Sequence, residues 1–155
     1  MEGRYKLVFP YRNDFRKTLI PYLKNLSAEN WRKVHPNYSN NVAWVISHVA
    51  TSEAFWIKEI AFDKKSKLTV DAFSTPGEII KAYEEIRMET DVILNSLEPE
   101  QFDQLIEVPT FSDGWIPPSV PTIRWVFQHV YGHEAYHIGQ LAIIAHLNGF
   151  EKPLF

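Results

Sequence analysis

The stretch from Thr122 to Gly149 constrains the fold of this chain more than any other part of it. Thr122 can cap a helix, no proline interrupts residues 123–148, and Gly149 with Pro153 beyond supplies a stop. Val126, Val130, Leu141 and Ile144 share one side of that helix. A long helix with an apolar stripe needs neighbours of similar length to cover it. The remaining sequence offers them. One helix is expected from Tyr11 to Leu26, with Phe15, Leu19, Tyr22, Leu23 and Leu26 on a helical period; Pro21 inside it predicts a kink or a late start. A short helical turn follows at Ala28 to Lys33, ahead of Pro36.

A second long helix starts at Asn40 or Asn41, either of which can cap it. It carries Val42, Val45, Ile46, Val49, Trp56, Ile57 and Ile60, and a second row of Trp44, His48 and Phe55, so it is apolar on more than one side. The third has the clearest start. Thr75 caps, Pro76 takes the first helical position and Glu78 completes a capping box; the helix runs to about Ser96 and is the most polar of the four. Pro99, Pro109, Pro117, Pro118 and Pro121 forbid a long helix in the connection 97–121, where Leu105 to Phe111 is expected to be extended. The expectation is a single all-α domain over residues 1–155.

Of its 155 residues, 16 are basic and 19 acidic, a net charge of −3, which argues against a duplex nucleic-acid binder. No stretch approaches the ~18 apolar residues that a membrane span needs. The opening Met1-Glu2-Gly3-Arg4-Tyr5-Lys6 has no long apolar segment behind it, so a cytoplasmic protein is expected. There is no cysteine, which excludes disulfides, thiolate metal sites and cysteine nucleophiles. Any metal would be held by nitrogen and oxygen.

Those nitrogens have an obvious source. His129, His133 and His137 recur every four residues on the last helix, within the arc of the apolar stripe, and Gln140 lies in the same arc. Three inward imidazoles are costly to bury without partners, and a metal ion resolves the cost. Histidines at i and i+4 can converge on one ion, whereas i and i+8 are separated by about 12 Å of rise. The helix therefore supplies either His129/His133 or His133/His137. His48, mid-helix among apolar residues, is the best candidate for a third ligand. Three nitrogen ligands leave an open position, as in catalytic zinc sites; nickel, iron and manganese suit the same donors. For His35, before Pro36, and His146, in the last turn, surface roles suffice.

His133-Glu134-Ala135-Tyr136-His137 also spells the H-E-x-x-H of zinc proteases. Gln140 and Ile143 stand where the extended motif needs Gly and His, and the only later carboxylate side chain, Glu151, lies past the helix stop. A protease is therefore disfavoured. Glu134 remains a candidate base or a surface salt-bridge partner, about 100° round the helix from His133.

The run His129-Val-Tyr-Gly-His133-Glu-Ala-Tyr-His137-Ile-Gly139-Gln140-Leu resembles the C-terminal helix signature of the DinB-like superfamily, also called YfiT-like metalloenzymes. Val45-Ile46-Ser47-His48-Val49-Ala50-Thr51-Ser52-Glu53-Ala54-Phe55-Trp56 is similar to that family's second-helix motif. The resemblance implies a four-helix bundle with a long crossover and a divalent metal, zinc or nickel, on His48, His133 and His137. His129, Gln140, Glu53 and Trp56 would line or brace the pocket, and Gly139 would allow close helix packing. Ile138 departs from the arginine frequent in the family, which removes an anion contact.

The resemblance further implies a small-molecule substrate, activation of a low-molecular-weight thiol such as bacillithiol, mycothiol or glutathione, and transferase or isomerase chemistry. Glu134 and His129 are the candidate catalytic residues. Trp44, Trp56, Trp115, Trp125 and Tyr136 are candidate pocket walls or core residues, with 109–121 folded over the mouth. A homodimer is expected. The competing readings are a metal-dependent hydrolase and a non-catalytic bundle braced by its metal.

Overall fold

The computed structural model describes residues 8–155; the reading of Met1 to Lys6 lies outside them. The described chain folds into five α-helices: α1 (Asp14–Asn25), α2 (Ala28–Arg32), α3 (Val42–Ala54), α4 (Pro76–Ser96) and α5 (Ile123–Asn148). Among the described residues there is no strand, and the four longer helices make the all-α bundle that the periodicity predicts.

The helix ends follow from local chemistry. Ser27, Asn41, Thr75 and Thr122 each accept a backbone N–H with their side chains at the starts of α2, α3, α4 and α5. Glu78 closes the capping box on Thr75. Gly149 ends α5 at φ 74°, a left-handed conformation that glycine adopts without strain, and Phe150 N–H reaches back to the Ala145 carbonyl at 3.0 Å.

One expectation needs correction. The first helix begins at Asp14, not Tyr11. Asn13 does not cap it, because its side-chain amide donates to Asp91 and accepts from Arg87. Pro21 does sit inside α1, on its exposed side, where the carbonyl of Lys17 that loses its partner can meet water. Leu105 to Phe111 joins no sheet. Only a single antiparallel bridge forms, Leu105 to Thr122, where Ile106 N–H donates to Pro121 O and Ile123 N–H to Gln104 O. The prolines leave no continuous ladder, but this bridge ties the middle of the crossover to the start of α5.

α3 packs against both α4 and α5, and α1 against α4. Val45, Ile46, Val49, Tyr83, Leu141 and Ile144 fill one half of the core. The other half gathers Ile57, Leu94, Phe102, Val126, Phe127 and Val130. Between these halves, α3 does not continue as an α-helix. Residues Phe55–Ala61 wind as a π-helix, a rare form that recurs at functional sites, and it turns Trp56 into the core.

Candidate metal centre

His48 comes from the middle of α3, and His133 and His137 come from successive turns of α5. Their ring nitrogens converge. His48 Nε2 lies 3.2 Å from His133 Nε2, which lies 3.0 Å from His137 Nε2. One ligand atom from each ring falls within 4.8 Å of the other two. Nitrogens bound to tetrahedral zinc at 2.0–2.1 Å stand roughly 3.3–3.4 Å apart, so the spacing is close to that of a coordinated set. His129 is not part of the group. Of the two pairs that helical spacing allows, the structure brings His133 and His137 together with His48.

The rings are held in place from behind. Gln140 Oε1 lies 2.7 Å from His137 Nδ1. An amide oxygen only accepts, so Nδ1 carries the hydrogen and Nε2 presents its lone pair. Trp44 lies one turn before His48 and stacks on it, with centroids 4.6 Å apart and planes 10° from parallel; its edge contact to His137 is at 5.8 Å.

Electrostatics favour the neutral form of two of these donors. Burial, reinforced by His137, His48 and His129, pushes the His133 pKa down to about 3. Burial and then His137 lower that of His48. Three imidazoles whose Nε2 atoms face one another cannot all be satisfied by their own hydrogens: His133 has at most one Nε2 hydrogen for two contacts. A cation at their centre would use all three lone pairs, so the residues present fit a divalent metal. His137 is buried while His48 and His133 are half-buried, so part of the site faces outward.

His129 sits one turn before His133, with ring centroids 6.1 Å apart. It is sandwiched between Trp125, stacked at 4.8 Å, and the edge of Trp56 at 4.6 Å. Burial lowers its pKa. Trp115, from the crossover, packs on His129 and Trp56 at 5.7 and 6.0 Å, which brings this part of 109–121 beside the site. Trp56 is core, whereas Tyr136 is largely exposed and meets His137 edge-on at 5.0 Å.

Two expectations for the neighbouring residues do not hold. Gly139 is exposed, and a Cβ there would meet nothing within 4 Å, so it is not a close-packing glycine. Glu134 is neither a surface salt-bridge partner nor aimed at the histidines. It is 1% exposed and bound by Arg16, Arg87 and the Tyr83 hydroxyl. Glu53, 2% exposed, is bound by the same two arginines: it accepts from Arg16 at 2.9 Å and from Arg87 at 2.8 and 3.0 Å. Both carboxylates lie on helix faces that the guanidiniums of α1 and α4 reach. Burial works to raise the Glu53 carboxyl, but Arg16 and Arg87 outweigh it and hold it below the ordinary value. Burial and Glu134 together raise the Tyr83 hydroxyl. His35 accepts the Asn37 N–H at Nδ1, and His146 is exposed.

The chain is thus of the class of all-helical bundles that bring three histidines, two from the last helix, into a group that could hold a metal ion. The chain matches the DinB superfamily over residues 13–141 and belongs to it. It is also similar to the uncharacterized protein YizA of Bacillus subtilis (strain 168), 23% identical over 137 residues, which cover 88% of this chain and 83% of that protein.

Proposed function

We propose that this protein is a metal-dependent enzyme that holds Zn²⁺ or Ni²⁺ on His48, His133 and His137 and activates a low-molecular-weight thiol for transfer to an electrophile. The observation that carries this reading is the convergence of three Nε2 atoms from two helices, with two of the rings half-buried. A bound divalent ion supplies Lewis acidity, which deprotonates a coordinated thiol or lowers the pKa of coordinated water toward about 7. A chain without cysteine has no thiolate of its own to offer. Gln140 and Trp44 fix the rings, and Trp56, Trp115 and Trp125 form an aromatic wall beside them.

Activated water, and so hydrolysis, is the second reading. The rings in contact with the three histidines and His129 belong to uncharged aromatic residues or to other histidines, and the core's Arg16 and Arg87 are committed to carboxylates. Exposed Met88 and Val92 on α4, with Tyr11 near the start of α1, support a homodimer, and the net charge of −3 disfavours nucleic acid as a partner.

Metal analysis of protein purified without chelators, for wild type and His137→Ala, tests the site. A panel of thiols with monochlorobimane tests the chemistry. Metal in the wild type with thiol-dependent bimane transfer supports the first reading. Ester turnover without added thiol supports the second. A wild type that is metal-free and takes up neither ion overturns both.

A further inference from the structure

Behind the histidines lies a second cluster of four charged side chains, each at most 5% exposed. Its connectivity is a closed ring. Arg16 of α1 joins Glu53 Oε2 at 2.9 Å and Glu134 Oε1 at 2.8 Å. Arg87 of α4 joins both Glu53 oxygens and Glu134 Oε2. Positive and negative groups alternate and the ring's net charge is zero. Its two carboxylates belong to the two helices that carry the histidines: Glu53 is five residues beyond His48 on α3, and Glu134 is next to His133 on α5.

From this we infer that the ring is a positioning device for the histidine site: Arg16 and Arg87 clamp Glu53 to Glu134 and so set the separation at which His48 meets His133 and His137. The inference rests on the metal reading above but concerns residues that never touch the metal. Each guanidinium spans both carboxylates, so α3 and α5 are held by two bridges in parallel. Without one arginine, two buried carboxylates share a single cation. Their repulsion favours separation of α3 from α5, and burial away from water leaves it little screened. His133 and His137 share a helix and keep their spacing, so His48 is the ring displaced. Loss of Arg87 together with one carboxylate restores charge balance and removes the repulsion.

Zinc titration of four proteins tests this: wild type, Arg87→Met, Arg87→Met with Glu53→Gln, and Leu94→Ala. Leu94 is a fully buried α4 residue outside the ring and reports loss of stability alone. Arg87→Met weakens zinc binding about 10- to 100-fold, the usual scale for groups that orient ligands. The double variant recovers most of that loss, and Leu94→Ala binds zinc like the wild type. Wild-type affinity in Arg87→Met, or an equal loss in Leu94→Ala, overturns the inference. A readout without metal accompanies it. In zinc-free protein, the nuclear Overhauser contact between the His48 and His133 rings is present in the wild type and lost in Arg87→Met; its survival overturns the inference. A wild type that takes no zinc defeats the metal reading, and the ring contact still decides the role of Arg87. If Arg87→Met does not fold, Arg16→Met takes its place, because it leaves the same two carboxylates with one guanidinium, and must show the same two losses.

Discussion

Gln140 Oε1 and His137 Nδ1 lie 2.7 Å apart, one turn of α5 fixing the tautomer of the most buried histidine in the site. Such a contact is worth roughly 10- to 100-fold in metal affinity where it has been removed from metal sites. Gln140→Ala is therefore expected to weaken zinc binding on that scale while leaving the helix content unchanged. Competition against a chromogenic chelator measures the first, and circular dichroism the second. Gln140→Glu, which also accepts from Nδ1–H, is expected to retain binding.

Acid should unfold the metal-free protein from an unusually high pH. His133 has a folded pKa of about 3, and those of His48 and His129 are also lowered from 6.5. Between about 6.5 and the folded value, the unfolded chain binds more protons than the folded one, so stability falls as the pH falls through that window. Below about 4.5 the Glu53 carboxyl adds to the loss in the same direction, because its folded pKa is lowered too. Urea midpoints of chelator-treated protein should decline steadily from pH 7 to pH 4. A bound metal, which competes with the same protons, should flatten the upper part of that decline.

How much of this was legible in the sequence depended on what kind of pattern carried it. Thr75-Pro76-Gly77-Glu78 and Thr122 with Gly149 announce helix ends through backbone chemistry that acts locally, and the structure has them there. Helical rise narrowed the α5 histidines to two adjacent pairs and the apolar setting of His48 marked it as a partner, but the choice of His133 with His137 over His129 with His133 rested on the family resemblance. The charge ring was not read. Arg16, Glu53, Arg87 and Glu134 each resemble ordinary solvated charges when taken alone. Yet Arg16 lies three and seven residues before Leu19 and Leu23, and Glu134 lies four after Val130. Each falls on an apolar stripe, two of either sign. That balance was the available signal, but which charges meet is fixed only by packing. The π-helical turn at Phe55–Ala61 had no sequence mark.

The same ring predicts a large stability effect. Arg16→Met leaves two buried carboxylates with one guanidinium, and removal of one partner from a buried ion pair costs about 3–5 kcal/mol. Replacement of the whole ring by apolar residues of similar volume should cost far less. Chemical denaturation of the single and the quadruple variant checks the order.

Trp56 is 7% exposed and presents its edge to His129. Trp56→Ala is expected to destabilise the fold by about 3–5 kcal/mol, the range for truncating a large buried aromatic. It should also free the His129 ring, so that His129 titrates nearer its ordinary value as burial is relieved. Thermal melts and histidine proton shifts across pH 4–8 measure the two effects.

The central claim is that imidazoles from two separate helices bind one ion together, and His48 tests it most directly because it is the ligand contributed by α3. Calorimetric zinc titration of wild type, His48→Ala, His133→Ala and His137→Ala should give one ion per wild-type chain and a severe loss in each variant, with His48→Ala losing as clearly as the α5 variants. Zinc binding by His48→Ala that equals the wild type would contradict the account.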